Sequence, residues 1–173
     1  FLGLCPVPAD PLEPVEVPMK ILALDTGTRT GLAIIDGGRV FESGVQDFSK
    51  RRGESNGAMF LRFRAWLADM LYMQGHIKFV CYEQAHHRGG AATEICVNLT
   101  GRVQEECAAR CIEFVGIHTA TLKKWACGSG RADKTDMTTA AIKRLGRVPI
   151  DDNEADAVLL GLMAWEEYGS KSE

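Results

Sequence analysis

An aspartate follows the first apolar segment of the chain, at a point where a buried strand would otherwise continue. The stretch ILALDTGTRTGLAI, residues 21–34, is mostly apolar on both sides of Asp25. A buried carboxylate without a partner costs free energy because it loses its hydration. Asp25 therefore either binds a cation, such as a metal ion, or marks the point where the strand ends in solvent.

A second acid follows another apolar segment in the same way. Residues 77–82 form a continuous β-rich run of the kind found in buried strands, and Glu83 comes next. Ligands of open α/β sheets bind at the carboxyl ends of the parallel strands. If these two strands are neighbours, Asp25 and Glu83 lie side by side and repel each other unless a cation intervenes. Either acid alone can also be read as an ordinary solvated strand end.

A cluster of acids opens the most apolar helical segment, DDNEADAVLLGLMAW, at residues 151–165. Acids at a helix N-terminus are ordinary caps and dipole partners, so most of them need no further role. Asp156 differs because it lies about one turn inside the helix, between alanines that would let the helix approach the sheet. Asn153 and Asp152, three and four residues earlier, share its face.

Three converging carboxylates suit hard divalent cations. Mg²⁺ and Mn²⁺ prefer oxygen ligands and keep several waters for a phosphate substrate. Two such ions about 4 Å apart can activate a water and stabilise the leaving oxygen of a phosphodiester. Asp25, Glu83 and Asp156 are therefore predicted to hold two Mg²⁺ or Mn²⁺ ions.

The positions of these acids depend on the elements that carry them. Strands are predicted at Lys20–Asp25, 31–35, 39–46, 77–82 and 112–117, with a hairpin turn at Asp36-Gly37-Gly38. Helices are predicted at 56–74, 91–110, 119–125 with Thr119 as N-cap, 133–145 and 152–168. A hairpin meander followed by βαβαβ predicts an α/β fold with a mixed sheet and helices packed on it.

Composition is that of an ordinary globular protein. The 173 residues are 46% apolar and 25% charged. Five of the six prolines fall in residues 1–18. These residues are predicted to be a tail, and residues 19–173 a single domain. No apolar run is long enough for a membrane span, and no signal segment is recognisable. The six cysteines lack metal-site spacing and are typical of a reduced, cytoplasmic protein.

Basic side chains are unevenly distributed along the chain. The net charge is −3, but residues 101–147 contain nine basic and five acidic side chains, a local excess of +4. Such a segment is either an ordinary set of solvated helix faces or a phosphate-binding surface.

Four motifs, in this order, resemble the RuvC Holliday-junction resolvases of the ribonuclease H-like superfamily. They are LALDTGTRTGLAI, FVCYEQ, LKKWACGSGRADK and NEADAVLLGLMAW, and the resemblance spans residues 20–168. The DxGxxxxG opening is shared with sugar-kinase and actin-type ATPases, whereas GSGRADK combined with an ADA-type helix is more specific. The resemblance implies a ribonuclease H-like, mixed five-stranded sheet, with a three-stranded antiparallel meander plus two parallel strands and helices on both faces.

The resemblance also implies a set of metal ligands. The family's acids map onto Asp25, Glu83 and Asp156, and its remaining ligand falls at Asn153. An asparagine there departs from the family pattern, although its amide oxygen can still bind metal, and Asp152 is the alternative. The glycines of the TGTRTG turn would keep it slim enough for a DNA backbone to approach.

The family's two functional lysines map onto Lys134 and onto Lys123, with Lys124 as the alternative register. A cation beside the scissile phosphate would stabilise charge that develops in the transition state. The loop QAHHRGG lies where the family places a bulky residue at the junction centre. The predicted DNA-binding residues are Arg29, His86, His87, Arg88, Arg102, Lys124 and Arg131.

By this resemblance the protein is a structure-selective DNA endonuclease that resolves four-way and other branched junctions. It would act in the cytoplasm of a bacterium or a phage-infected host, as a homodimer in which the helix at 91–110 supplies much of the contact. Three alternatives remain open at this point. They are a YqgF-like RNA-processing nuclease, a non-catalytic junction-binding protein, and a nucleotide binder of the sugar-kinase type, which would need a second domain.

Overall fold

The computed structural model describes residues 19–84 and 89–169. The predicted tail, and the loop residues His86, His87 and Arg88, lie outside the described residues. The strands are β1 (Lys20–Asp25), β2 (Arg29–Asp36), β3 (Arg39–Asp47), β4 (Ile77–Glu83) and β5 (Glu113–Ile117). The helices are α1 (Asn56–Met73), α2 (Ala91–Ala109), α3 (Thr119–Cys127), α4 (Lys134–Leu145) and α5 (Asp152–Ala164), which continues as a π-helical turn at Trp165–Gly169.

The five strands form one mixed sheet in the order β3-β2-β1-β4-β5. β1 and β2, and β2 and β3, are antiparallel, whereas β4 is parallel to both β1 and β5. This is the predicted combination of an antiparallel meander with two parallel strands. Leu24 lies opposite Tyr82, so Asp25 and Glu83 follow at the same end of two adjacent strands.

Helices cover both faces of the sheet, as the resemblance implied. Successive residues of a strand point to opposite faces, so Leu22 and Leu24 pack with α1 and α2. Ile21 and Ala23 pack on the other face with α3, α4 and α5. Because β1 is buried on both faces, its four residues between Lys20 and Asp25 are all apolar. None of the helices in the described ranges is long and apolar enough to cross a membrane.

The predicted hairpin between β2 and β3 is present. Gly37 and Gly38 have φ values of 56° and 77°, a left-handed pair that glycine adopts without steric cost and that matches the twist of the flanking strands. The hairpin places β3 at the edge of the sheet, next to the helix that carries Asp156.

Helix α5 lies unusually close to the sheet, because the residues at the contact are small. A Cβ built on Gly161 would lie 2.7 Å from Cγ1 of Ile35 and 3.1 Å from Cβ of Ala23. Near the start of α5 the backbone itself is in contact, since a Cβ on Gly31 would lie 1.9 Å from the carbonyl oxygen of Asn153. Gly31 therefore makes room for α5. The sequence-based interpretation, that the glycines of this turn let a DNA backbone approach, did not include this role.

A buried carboxylate ties the start of α5 to β3. Glu154 is fully buried and accepts hydrogen bonds from Ser43 Oγ at 2.7 Å and from Arg147 Nη2 at 2.5 Å. Burial alone would raise the pKa of Glu154, but the hydrogen bonds from Arg147 and the Ile150 amide outweigh burial and lower it. Glu154 is therefore a charged anchor that helps to hold α5 against the sheet.

Candidate metal centre

Three carboxylates meet at the carboxyl ends of β1 and β4. Asp25 ends β1, Glu83 ends β4, and Asp156 reaches them from the second turn of α5. One oxygen of each side chain lies within 4.8 Å of those of the other two. Adjacent ligands of an octahedral Mg²⁺ ion are about 3 Å apart and opposite ligands about 4.2 Å, so the three side chains would draw closer together around one ion. The cluster therefore fits a hard divalent cation.

The electrostatics of the cluster favour proton or cation uptake. Burial raises the pKa of Asp25 well above its usual value, and the charges of Glu83 and Asp156 raise it further. Burial also raises the pKa of Asp156 to about 7, with the charges of Glu83 and Asp152 adding to the effect. Carboxylates that share a site hold protons near neutral pH unless a cation balances their charge.

The raised pKa of Asp156 predicts that the metal-free protein becomes less stable as pH rises. Its pKa is about 7 in the folded protein, against a reference value of 3.8. The folded state thus binds more protons between these values, and the free energy of unfolding falls as pH rises through that window. We expect Asp156→Asn to raise this free energy at pH 8 by about 2 kcal/mol, measured by urea unfolding in EDTA. An equal gain at pH 4 would contradict this assignment.

A cleft of about 130 Å³ lies beside the cluster on the side of α3 and α4. Its lining includes Asp156, Asp152 and the two predicted functional lysines, Lys123 and Lys134. Lys134 donates a hydrogen bond to Asp152, which raises the pKa of the lysine. Lys124, the alternative in a shifted register, is exposed and does not line the cleft. The cleft thus brings lysine ammonium groups and carboxylates together at one site.

A capping box positions Lys134 at the start of α4. The Asp133 carboxylate accepts from the backbone N–H of Asp136 at 2.9 Å, and the Asp136 carboxylate accepts from the N–H of Asp133 at 3.1 Å. Both hydrogen bonds satisfy amides that a helix N-terminus leaves unpaired. The GSGRADK motif therefore ends in a rigid helix start, with Lys134 as its first residue.

The two candidates for a further ligand are oriented differently. Asn153 donates from Nδ2 to Asp151 Oδ2 at 3.2 Å and does not line the cleft. Asp152, the preceding residue, lines the cleft with Asp156. The structure therefore brings Asp152, and not the Asn153 side chain, toward the candidate site.

Within residues 19–84 and 89–169, the basic residues predicted to bind DNA do not line the cleft. Arg29 donates from Nε and Nη2 to Asp151 Oδ2, at 3.2 and 2.8 Å, and joins the start of β2 to the start of α5. Arg102 lies on α2, 3.3 Å from Glu105 Oε2. Arg131 is exposed in the loop before α4. The DNA contacts of Arg29, Arg102 and Arg131 all remain predictions.

Thr119 is the residue near the acids that sequence reasoning misread. The prediction that it caps α3 is wrong, because His118 occupies the N-cap position and Thr119 is the first residue of the helix. Its hydroxyl donates instead to Glu83 Oε1. The sequence carries no signal for this contact, since a threonine before a helical segment is also a common cap.

A second hollow, of about 250 Å³, lies on the opposite side of the acids, toward α2. Cys96 and Thr93 of α2 line it together with Asp25, Glu83 and Thr26. Thr26 adjoins Asp25 in sequence and could have been noted there. The residues of α2 could not, because they reach the acids only through the packing of α2 on the sheet.

The arrangement of strands, helices and acids is similar to that in solved structures of junction-resolving proteins. A Thermus thermophilus RuvC structure matches with a TM-score of 0.71 at 20% identity, over 87% of this chain and 97% of that chain. T. thermophilus RuvC in complex with Holliday junction substrate matches with the same score and identity, over 83% of this chain and 91% of that one. The chain has the RuvC fold.

The RuvC fold also relates this chain to a more distant protein. The yeast mitochondrial Holliday junction resolvase Ydc2 matches with a TM-score of 0.58 at 10% identity, over 90% of this chain and 87% of that one. No protein-family model and no curated protein matches the sequence. The relation to RuvC therefore rests on the three-dimensional structure and on the motifs at the strand ends.

Proposed function

We propose that this protein is a divalent-metal-dependent, structure-selective DNA endonuclease that resolves four-way junctions and other branched DNA. The observation that carries the proposal is the cluster of Asp25, Glu83 and Asp156, of which Asp156 also lines the cleft that contains Lys123 and Lys134. Carboxylates at this spacing bind hard cations, and lysines beside them stabilise phosphate charge. The RuvC complex with a Holliday junction supports branched DNA as the substrate class.

In this proposal the acidic side chains bind the metal ions and the basic side chains bind the phosphate. Asp25, Glu83 and Asp156 hold Mg²⁺ or Mn²⁺, and Lys123 and Lys134 bind the non-bridging oxygens of the scissile phosphate. When two ions are bound, they lower the pKa of the attacking water and stabilise the leaving oxygen. Because burial raises its pKa to about 7, Asp156 would have to lose its proton to hold a cation.

We further propose that Asp152, and not Asn153, supplies the additional carboxylate for a second ion. Asp152 lines the cleft beside Asp156. Asn153 has its amide directed to Asp151, and its backbone carbonyl is pressed against Gly31. The ion pair between Lys134 and Asp152 supplies a counter-charge for Asp152 when no cation is present.

This assignment predicts different metal stoichiometries for two neighbouring variants. We expect Asp152→Asn to lower the number of bound Mn²⁺ ions from about two to about one per chain, because the second ion loses a carboxylate. Asn153→Ala should leave the number unchanged. Mn²⁺ titration followed by electron paramagnetic resonance gives both values without any substrate. The reverse pattern would assign the ligand to Asn153.

Resolution of a four-way junction requires two cuts on opposed strands, so we propose that the protein acts as a homodimer. Helix α2 adjoins the acids through Thr93 and Cys96, and a dimer built on α2 would place two clusters near one junction. Light scattering coupled to size-exclusion chromatography measures the mass of the complex in solution and tests this proposal.

A cleavage assay on a panel of nucleic acids tests the proposed activity. We expect a synthetic four-way DNA junction and a fork to be cut in Mg²⁺ or Mn²⁺, and a linear duplex of the same sequence to remain intact. Selective cleavage of an RNA precursor would favour the YqgF-like alternative. Junction binding without cleavage would favour a non-catalytic binding protein, and ATP binding without nuclease activity would favour the sugar-kinase type.

A further inference from the structure

The junction between β5 and α3 lies directly beside Glu83. Glu83 is opposite Ile117 in the parallel pair of β4 and β5, and the Gln84 amide donates to the Ile117 carbonyl at 2.8 Å. The chain then turns through His118, which has an extended backbone with φ −69° and ψ 136°. Thr119 follows as the first residue of α3 and is therefore held next to the end of β4.

The Thr119 hydroxyl makes a direct contact with the metal-ligand candidate Glu83. It donates to Oε1 of the carboxylate. A carboxylate that accepts on one oxygen still has lone pairs on its other oxygen for a cation. The contact therefore orients Glu83 without removing it as a ligand.

Glu83 is the acid of the cluster with the greatest need for such support. Its side chain has one more torsion than those of Asp25 and Asp156, so more conformational entropy is lost when a cation fixes it. Thr119 is β-branched, which restricts its own rotamers. It also lines the cleft that contains Asp156 and Lys123. Thr119, whose rotamers are restricted, thus holds the carboxylate of Glu83, the most flexible of the three acids, at the site.

We propose that Thr119 is a positioning residue that pre-orients the Glu83 carboxylate for cation binding. The inference rests on the proposed metal site, and it assigns Thr119 an effect on metal affinity through Glu83, with no contact to the ion. Partners of this kind, which hydrogen-bond a ligand and not the metal, change metal affinity by about 10- to 100-fold when removed.

Mn²⁺ affinity of the full chain, measured by calorimetry without DNA, tests the inference. We expect Thr119→Val, which removes the hydroxyl and keeps the shape, to weaken binding about tenfold. Thr119→Ser keeps the hydroxyl and should stay within about twofold of the wild type. Thr121→Val makes the same substitution at an exposed position of α3 and should have no effect. If valine lowers the melting temperature, Thr119→Ala supplies a hydroxyl-free variant with high helix propensity.

Wild-type affinity in a folded Thr119→Val or Thr119→Ala protein would overturn the inference, as would a Thr119→Ser protein as weak as the valine variant. Failure of the wild type to bind Mn²⁺ would overturn it together with the metal site. If the wild type binds Mn²⁺ in a Thr119-dependent way but cuts no nucleic acid, the inference stands and the proposed nuclease function is wrong.

Discussion

Asp25→Asn will abolish cleavage of a four-way junction while leaving junction binding intact. Asp25 lies at the end of the central strand, and its carboxylate meets those of Glu83 and Asp156. Asparagine has the same shape but lacks the negative charge that balances a divalent cation. We expect the cleavage rate in Mg²⁺ to fall at least about 10³-fold, equivalent to about 4 kcal/mol of transition-state stabilisation. Gel assays of cleavage, and of binding in EDTA, measure the two effects separately.

A matched variant separates the loss of a metal ligand from the loss of any strand-end acid. Asp36 ends β2 at the opposite end of the sheet, where it is paired with Lys20 in the strand register. Asp36→Asn should therefore cut the junction at the wild-type rate. Asp25→Asn also relieves repulsion in the cluster, so we expect it to fold at least as well as the wild type. Retained cleavage in Asp25→Asn would show that the acid cluster is not the catalytic centre.

Gly31→Ala will destabilise the protein and separate the acids. The new Cβ would lie 1.9 Å from the carbonyl oxygen and 2.3 Å from the carbonyl carbon of Asn153. Both atoms belong to the backbone, so the start of α5 must move away from β2. Overpacking of this kind costs about 3 kcal/mol, measured by urea unfolding. Because Asp156 is carried by α5, we expect Mn²⁺ binding to weaken as well.

Gly44 offers a control on the adjacent strand. Gly44 lies in β3 and pairs with Leu32, the residue that follows Gly31 in β2. A Cβ built on Gly44 meets no atom within 4 Å. Gly44→Ala should change the free energy of unfolding by less than about 0.5 kcal/mol. If Gly31→Ala were as stable as Gly44→Ala, the close approach of α5 to β2 would not be what positions Asp156.

The amino-acid sequence by itself determined most of the fold. Alternating and continuous apolar runs predicted every strand of the described sheet, because burial on one or both faces imposes these patterns locally. The two strands that end in acids, at Asp25 and Glu83, could be recognised in the same way. Asp156 stood out because an acid inside an apolar helix is costly without a partner.

Tertiary structure decided which neighbouring side chains face the site. Residues adjacent in a helix point about 100° apart, so the choice between Asp152 and Asn153 depends on how α5 is rotated about its axis. That rotation is set by two contacts, one between Gly31 of β2 and the start of α5, and one between Gly161 of α5 and the sheet. Both contacts join segments that are far apart in the chain. No local pattern could therefore have made the choice.

The same reason explains the observed partners of two polar side chains. Arg29 has a basic side chain suited to DNA but is paired with Asp151, 122 positions away, and Thr119 has the chemistry of a cap but donates to Glu83. A side chain's type limits the partners that it can bind, and the sequence states that type. The partner itself depends on which elements the sheet order and the packing of α3 and α5 bring within hydrogen-bonding distance.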